Sequence, residues 1–235
     1  MIPSSSLRQF RFMACMTAGL VLGYTPALLA KDPPPEVSQD GLHLTKSTKS
    51  RLVYTKPGVV WSQYSKLAVL DCFVDFDKNW QRDYNSDQRD LSRRVSEKDM
   101  NNIKTGLAAE FKKVFIKELQ THGNYPVVDT AGPEVLVVRP AIINLRVTAP
   151  DIMSAGITRT VVQSAGSMTL YVELWDSATN TILARAMDAQ ADQGYGTWGQ
   201  QANRVTNVYA AQTIIEEWAV DLRKGLDAAR GQPAD

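Results

Sequence analysis

The chain has 235 residues, 44% of them hydrophobic, with 26 basic and 25 acidic side chains and a formal net charge of +1. That balance excludes an electrostatic nucleic-acid binder, which carries a basic excess, and the apolar content excludes an acidic disordered chain. Removing residues 1–30, which hold Arg8 and Arg11 and no acid, takes the balance to −1 and leaves 205 residues, enough for one domain with a real core.

The first element is an export signal. Arg8 and Arg11 precede an uncharged run over 12–30, FMACMTAGLVLGYTPALLA, which ends in Pro26 and small residues before Lys31 and Asp32. A basic start, an apolar middle and a small-residue exit are the parts of a secretory signal peptide. Cleavage is expected after Ala30, with Ala27 as the alternative. The run approaches the ~20 residues of a spanning helix, but Gly19, Gly23 and Pro26 make it a poor permanent anchor. Cys15 lies near the start of the run, whereas lipidation needs a cysteine at its end. The expected address is the periplasm, or the outer membrane periphery, of a Gram-negative bacterium.

Residues 31–50, rich in Pro, Ser, Thr and charge, predict an extended tether, with ordered structure from Arg51. Lys56-Pro57-Gly58 is a turn signal. The apolar run 67–74 predicts a strand buried on both sides, in the middle of a sheet. Cys72 lies within it and, as the one cysteine outside the signal, is read as a buried inert thiol. The polar stretch 77–94 predicts a long charged loop.

Ser96 is a candidate N-cap, and Glu97 and Asp99 in the following turn suit the helix dipole. Met100, Ile103, Leu107, Phe111, Val114, Phe115 and Leu119 recur at three- and four-residue steps and predict a long amphipathic helix, stopped by His122-Gly123-Asn124. Residues 134–147 predict a strand with Ala141, Ile143, Leu145 and Val147 on one face. Residues 166–175 alternate, with Met168, Leu170, Val172 and Leu174 facing one way and Thr169, Tyr171, Glu173 and Trp175 the other. A hairpin loop at 176–180 leads into a strand over 182–189. A second amphipathic helix is predicted over 203–229, on the stripe Val208, Ala211, Ile215, Trp218, Leu222 and Leu226. This order predicts an α+β fold: a two-layer sandwich of two long helices on a mixed, mostly antiparallel sheet of about four or five strands. One domain is expected over 51–230, with a disordered tail at 231–235.

The chemistry-bearing residues form no catalytic or metal pattern. Asp71, Asp75, Asp77, Asp83, Asp87 and Asp90 suggest calcium, but a loop begun at Asp75 puts Trp80 at the required glycine and Ser86 at the required acid. A loop begun at Asp83 puts Gln88 and Arg94 there. Arg82, Arg89, Arg93 and Arg94 favour a self-compensating charged loop instead. His43 and His122 have no metal-spaced partner, and no Gly-x-Ser-x-Gly elbow exists. No metal and no cofactor are expected. Two loops are candidate contact surfaces. Residues 150–165 hold Ile152 and Met153, which either face a partner or membrane or pack over the sheet. Residues 194–199 set Tyr195 and Trp198 among glycines, either to stack on sugar rings or a protein partner or to cover the core.

Several stretches together resemble one family: DGLHL (40–44), VYTKPGVVWSQYSKLAVLDCFVDFDKNW (53–80), YPVVD (125–129), VLVVRPAIINLRVTAP (135–150) and ELWDSATNTILARAMD (173–188). They are similar to bacterial envelope proteins of domain-of-unknown-function family 3313. The resemblance spans nearly all of the chain beyond residue 30. It implies an exported protein, many members being lipoproteins, and it brings no reaction or ligand; the position of Cys15 departs from the lipoprotein pattern. The expected function is a non-enzymatic module that binds an envelope protein or a wall component such as peptidoglycan, with no nucleic-acid partner. Membrane association is expected only if the signal is retained or lipidated. The alternative is a hydrolase that acts on an envelope polymer through paired carboxylates.

Overall fold

Nine strands and three α-helices run along the described residues of the computed structural model, namely 33–148, 160–162, 166–191, 200–202 and 204–231. In chain order they are β1 (His43–Ser47), β2 (Arg51–Thr55), β3 (Lys66–Val69), β4 (Phe73–Phe76), α1 (Trp80–Asp87), α2 (Glu97–Thr121), β5 (Val135–Val147), β6 (Thr160–Val162), β7 (Gly166–Asp176), β8 (Thr181–Ala191), β9 (Gln200–Ala202) and α3 (Arg204–Ala229). Residues 34–235 fall in one compact unit. The fold is α+β, but the sheet has seven strands, not the four or five expected, in the order β1-β2-β8-β7-β5-β3 with β4 also on β5. β3 and β4 run parallel to β5 and the other pairs are antiparallel. β6 and β9 form a separate two-stranded pair.

Alternation along β7 divides the sheet into two faces. Met168, Leu170, Val172 and Leu174 are buried on the side of the long helices, with Leu136, Val138 and Ile142 of β5 beside them. α2 adds Phe111, Val114, Phe115 and Leu119 to that cluster, and α3 adds Ile214, Ile215, Trp218, Ala219 and Leu226. Each large side chain buried there contributes about 1.5–3 kcal/mol. Val208, at the start of the predicted α3 stripe, is exposed instead. α2 begins at the expected cap: Ser96 Oγ accepts from the Asp99 amide, and Asp99 Oδ2 accepts from the Ser96 amide at 2.9 Å.

The structure corrects four expectations. Residues 43–47, within the expected tether, pair with β2 as the sheet's edge. Their side chains are mostly exposed, so no apolar period announces them, and the anchor is the neighbouring Leu42, 0% exposed against Tyr54 and Ile182. The run 67–74 lies at the opposite edge and is broken into β3 and β4. Leu67 is buried in the main core, and the 126–128 chain lies along its backbone, with the Leu67 amide donating to the Pro126 carbonyl and the Val128 amide to that of Leu67. The expected loop 77–94 contains α1, held by stacking of Phe76, Trp80 and Tyr84 and by Asn85, which bonds both the amide and carbonyl of Val95. In β5, a register shift at Asn144 (φ 54°) breaks the alternation, so the core takes Ile142 and Leu145, not Ile143. Among the described residues, no helix is long and apolar enough to cross a membrane.

Candidate functional site

The face of the sheet turned away from α2 and α3 carries a charged cluster. Strand register aligns Arg139 on β5, Glu173 on β7 and Arg185 on β8 in one cross-strand row. Two-residue spacing sets Tyr171 and Trp175 on either side of Glu173 on the same face. The Tyr171 hydroxyl donates to Glu173 Oε1 at 2.6 Å and Trp175 Nε1 to Oε2 at 3.1 Å. Arg185 donates twice to Oε1, at 3.2 and 3.1 Å, and also pairs with Asp40 at 2.6 Å. Arg139 stands 3.9 Å from Oε2 with its side chain 64% exposed.

Glu173 is 8% exposed. Burial by itself raises its pKa, but donation from Tyr171, Trp175 and Arg185 outweighs this and holds the carboxyl below the ordinary glutamate range. Burial and the adjacent carboxylate push Tyr171 up to about 12. At neutral pH the pair is therefore a fixed donor and a fixed acceptor, an arrangement suited to holding a surface in shape rather than to moving protons.

The other buried charges belong to two clamps. Asp188 Oδ2 accepts from Arg51 at 2.6 Å and from Trp218 Nε1 at 3.0 Å, which ties β2 and β8 to α3. Arg223 on α3 reaches Glu118 on α2 at 2.9 Å and Asp227 at 3.1 Å, and the Tyr125 hydroxyl donates to Asp227. Among the described residues three pairs of acids thus converge, Asp188 with Asp221 at Arg51, Glu118 with Asp227 at Arg223 and Asp40 with Glu173 at Arg185, and each is joined through a guanidinium.

A family model described as a protein of unknown function (DUF3313) matches residues 37–222. The chain belongs to this family. The matched stretch of this DUF3313 chain contains Glu173, its donors and the clamp at Arg51, whereas Arg223 and Asp227 lie just beyond it. A comparison with curated proteins finds no match. Among solved structures, the chain is similar to the PelC dodecamer from Paraburkholderia phytofirmans, at 12% identity and a TM-score of 0.38. It is also similar to a single-substitution variant of that dodecamer, at 9% identity and a TM-score of 0.34. Each comparison covers 70% of this chain and 93% of that one, and scores this low carry nothing about assembly or ligand.

The contact residues predicted from sequence, Ile152, Met153, Tyr195 and Trp198, lie outside the described residues, as do Ala27 and Ala30. The acid-rich stretch is dispersed into ion pairs: Asp71 with Lys112, Asp75 with Lys104, Asp77 with Arg146, and Asp83 with Arg82. Among the described residues, no three His, Cys, Asp or Glu side chains are grouped to hold a metal ion. Cys72 is buried, and burial pushes its thiol up to about 12, too high for thiolate chemistry near neutrality. His122 caps α2 and its Nδ1 lies 2.6 Å from Glu118 Oε2. Sequence reasoning missed Glu173 and its arginines as a site. The available signal was the Tyr-x-Glu-x-Trp alternation on the non-core face of β7, but its partners depend on register with strands far apart in sequence.

Proposed function

We propose that this chain is an exported envelope module that binds an envelope protein or a wall component and catalyses no reaction. One observation carries the reading. The four charged residues buried among the described ones, Glu173, Asp188, Arg223 and Asp227, are all engaged in hydrogen-bonded ion pairs; those of Glu173, Asp188 and Arg223 join strands or helices, and that of Asp227 holds Arg223 within α3. Large apolar side chains meanwhile face outward, among them Phe73, Val60 and Tyr209. Charge is used to fix the fold, and apolar surface is left for contact. The signal pattern over residues 1–30 supports export, and the loops holding Ile152, Met153, Tyr195 and Trp198 supply further candidate contacts.

The test is co-sedimentation of the purified chain with isolated peptidoglycan sacculi, run beside crosslinking in intact envelopes. The expected result is retention on sacculi, or one crosslinked envelope protein, lost in Trp198→Ala and Tyr195→Ala variants. Release of soluble wall fragments by the purified chain would favour the hydrolase and overturn the reading.

A further inference from the structure

We propose that the sheet face opposite α2 and α3 is the contact between two copies of this chain, packed face to face about a two-fold axis parallel to the strands near β7. Register builds an unbroken row across five strands on that face: Phe73 of β4 is level with Ala141 of β5, then Tyr171 of β7, Met187 of β8 and Leu52 of β2. At a strand spacing of about 4.8 Å, its ends lie roughly 19 Å apart. Phe73 is 62% exposed. Charged neighbours border the row at Arg139, Glu173 and Arg185 on one side and at Asp75, two residues on from Phe73, on the other.

Two features select a second copy as the occupant. The first is relief. The segment around Asp40 and Leu42 lies over the β2–β8 side, burying Leu42 on Tyr54 and Ile182, whereas on the β4–β5 side Phe73 is exposed. A two-fold axis near β7 sets the raised side of each copy over the bare side of the other. It also brings Phe73 opposite Leu52, small Ala141 opposite long Met187, and Tyr171 opposite its own counterpart. The second feature is charge. The bare side presents Arg139, 64% exposed, and the raised side presents Asp40, 43% exposed. The same axis carries each Asp40 toward the other copy's Arg139, making an isologous contact with two equivalent ion pairs. Two sheets stacked in this way keep their strands aligned, the usual geometry of face-to-face packing.

The inference stands apart from the export and binding reading, because it concerns the purified chain alone. The experiment is sedimentation velocity over a range of concentrations, on the full chain expressed with its own leader in a Gram-negative host and purified as the host delivers it. A dimer is expected. Phe73→Asp and, separately, Arg139→Ala should each weaken it on the order of tenfold or more, with the urea midpoint unchanged at concentrations where wild type and variant are both monomeric. A monomer at every concentration, or a dimer that neither substitution weakens, overturns the proposal.

Discussion

Burying a carboxylate costs several kcal/mol unless donors surround it, and Glu173 accepts from Tyr171, Trp175 and Arg185. Glu173→Gln keeps the shape and removes the charge, so we expect a loss of about 2–3 kcal/mol at pH 7 in urea denaturation. The folded pKa lies below the ordinary value of 4.5. The stabilisation is therefore complete above the unfolded value and is lost as pH falls through the lower folded one. The gap between wild type and Glu173→Gln should narrow over that acid range, and a gap independent of pH would contradict the assignment. Tyr125 tests the helix clamp. Tyr125→Phe removes the hydroxyl's bond to Asp227 and leaves Asp227 paired with Arg223, at an expected cost of about 1–2 kcal/mol in the same denaturation experiment.

Elements differ in what anchors them. α2 depends on its capping box, so Ser96→Ala should cost about 1 kcal/mol, read as a lower urea midpoint. β1 depends on Leu42. A tether would tolerate Leu42→Ala unchanged, whereas a side chain fully buried against Tyr54 and Ile182 predicts a loss of about 2–4 kcal/mol. The same distinction explains which elements were legible in the sequence. α2, α3, β7 and β8 carry apolar periods of 3.6 or 2 within one segment and appear at nearly their predicted bounds. β1 and α1 carry few apolar residues, and their support comes from Leu42 and from an aromatic stack that continues out of β4. The edge position of β3 and β4 was illegible for another reason: the chain along the Leu67 backbone comes from residues 126–128, which are remote in sequence. The Glu173 cluster joins β5, β7, β8 and residue 40, so no single window of sequence contains it.

Across the whole molecule, one hydrophobic cluster joins β5 and β7 to α2 and α3, and a charged cluster ties β5, β7 and β8 together beside the exposed Phe73. The clamps around Arg51 and Arg223 bind the helices to the sheet and to each other, and the buried carboxylates Glu173, Asp188 and Asp227 are each paired with an arginine. Folded contacts begin early: the Pro35 carbonyl accepts from the Tyr54 hydroxyl at 3.1 Å, a few residues beyond Ala30. Cleavage after Ala30 would therefore deliver a domain whose strap is intact and whose free end is short. The intact mass of the protein recovered from the periplasm by osmotic shock tests the proposed address most directly. The account predicts a chain that begins at Lys31, or at Leu28 for the alternative cut after Ala27. A full-length chain beginning at Met1 and confined to the cytoplasmic fraction would contradict it.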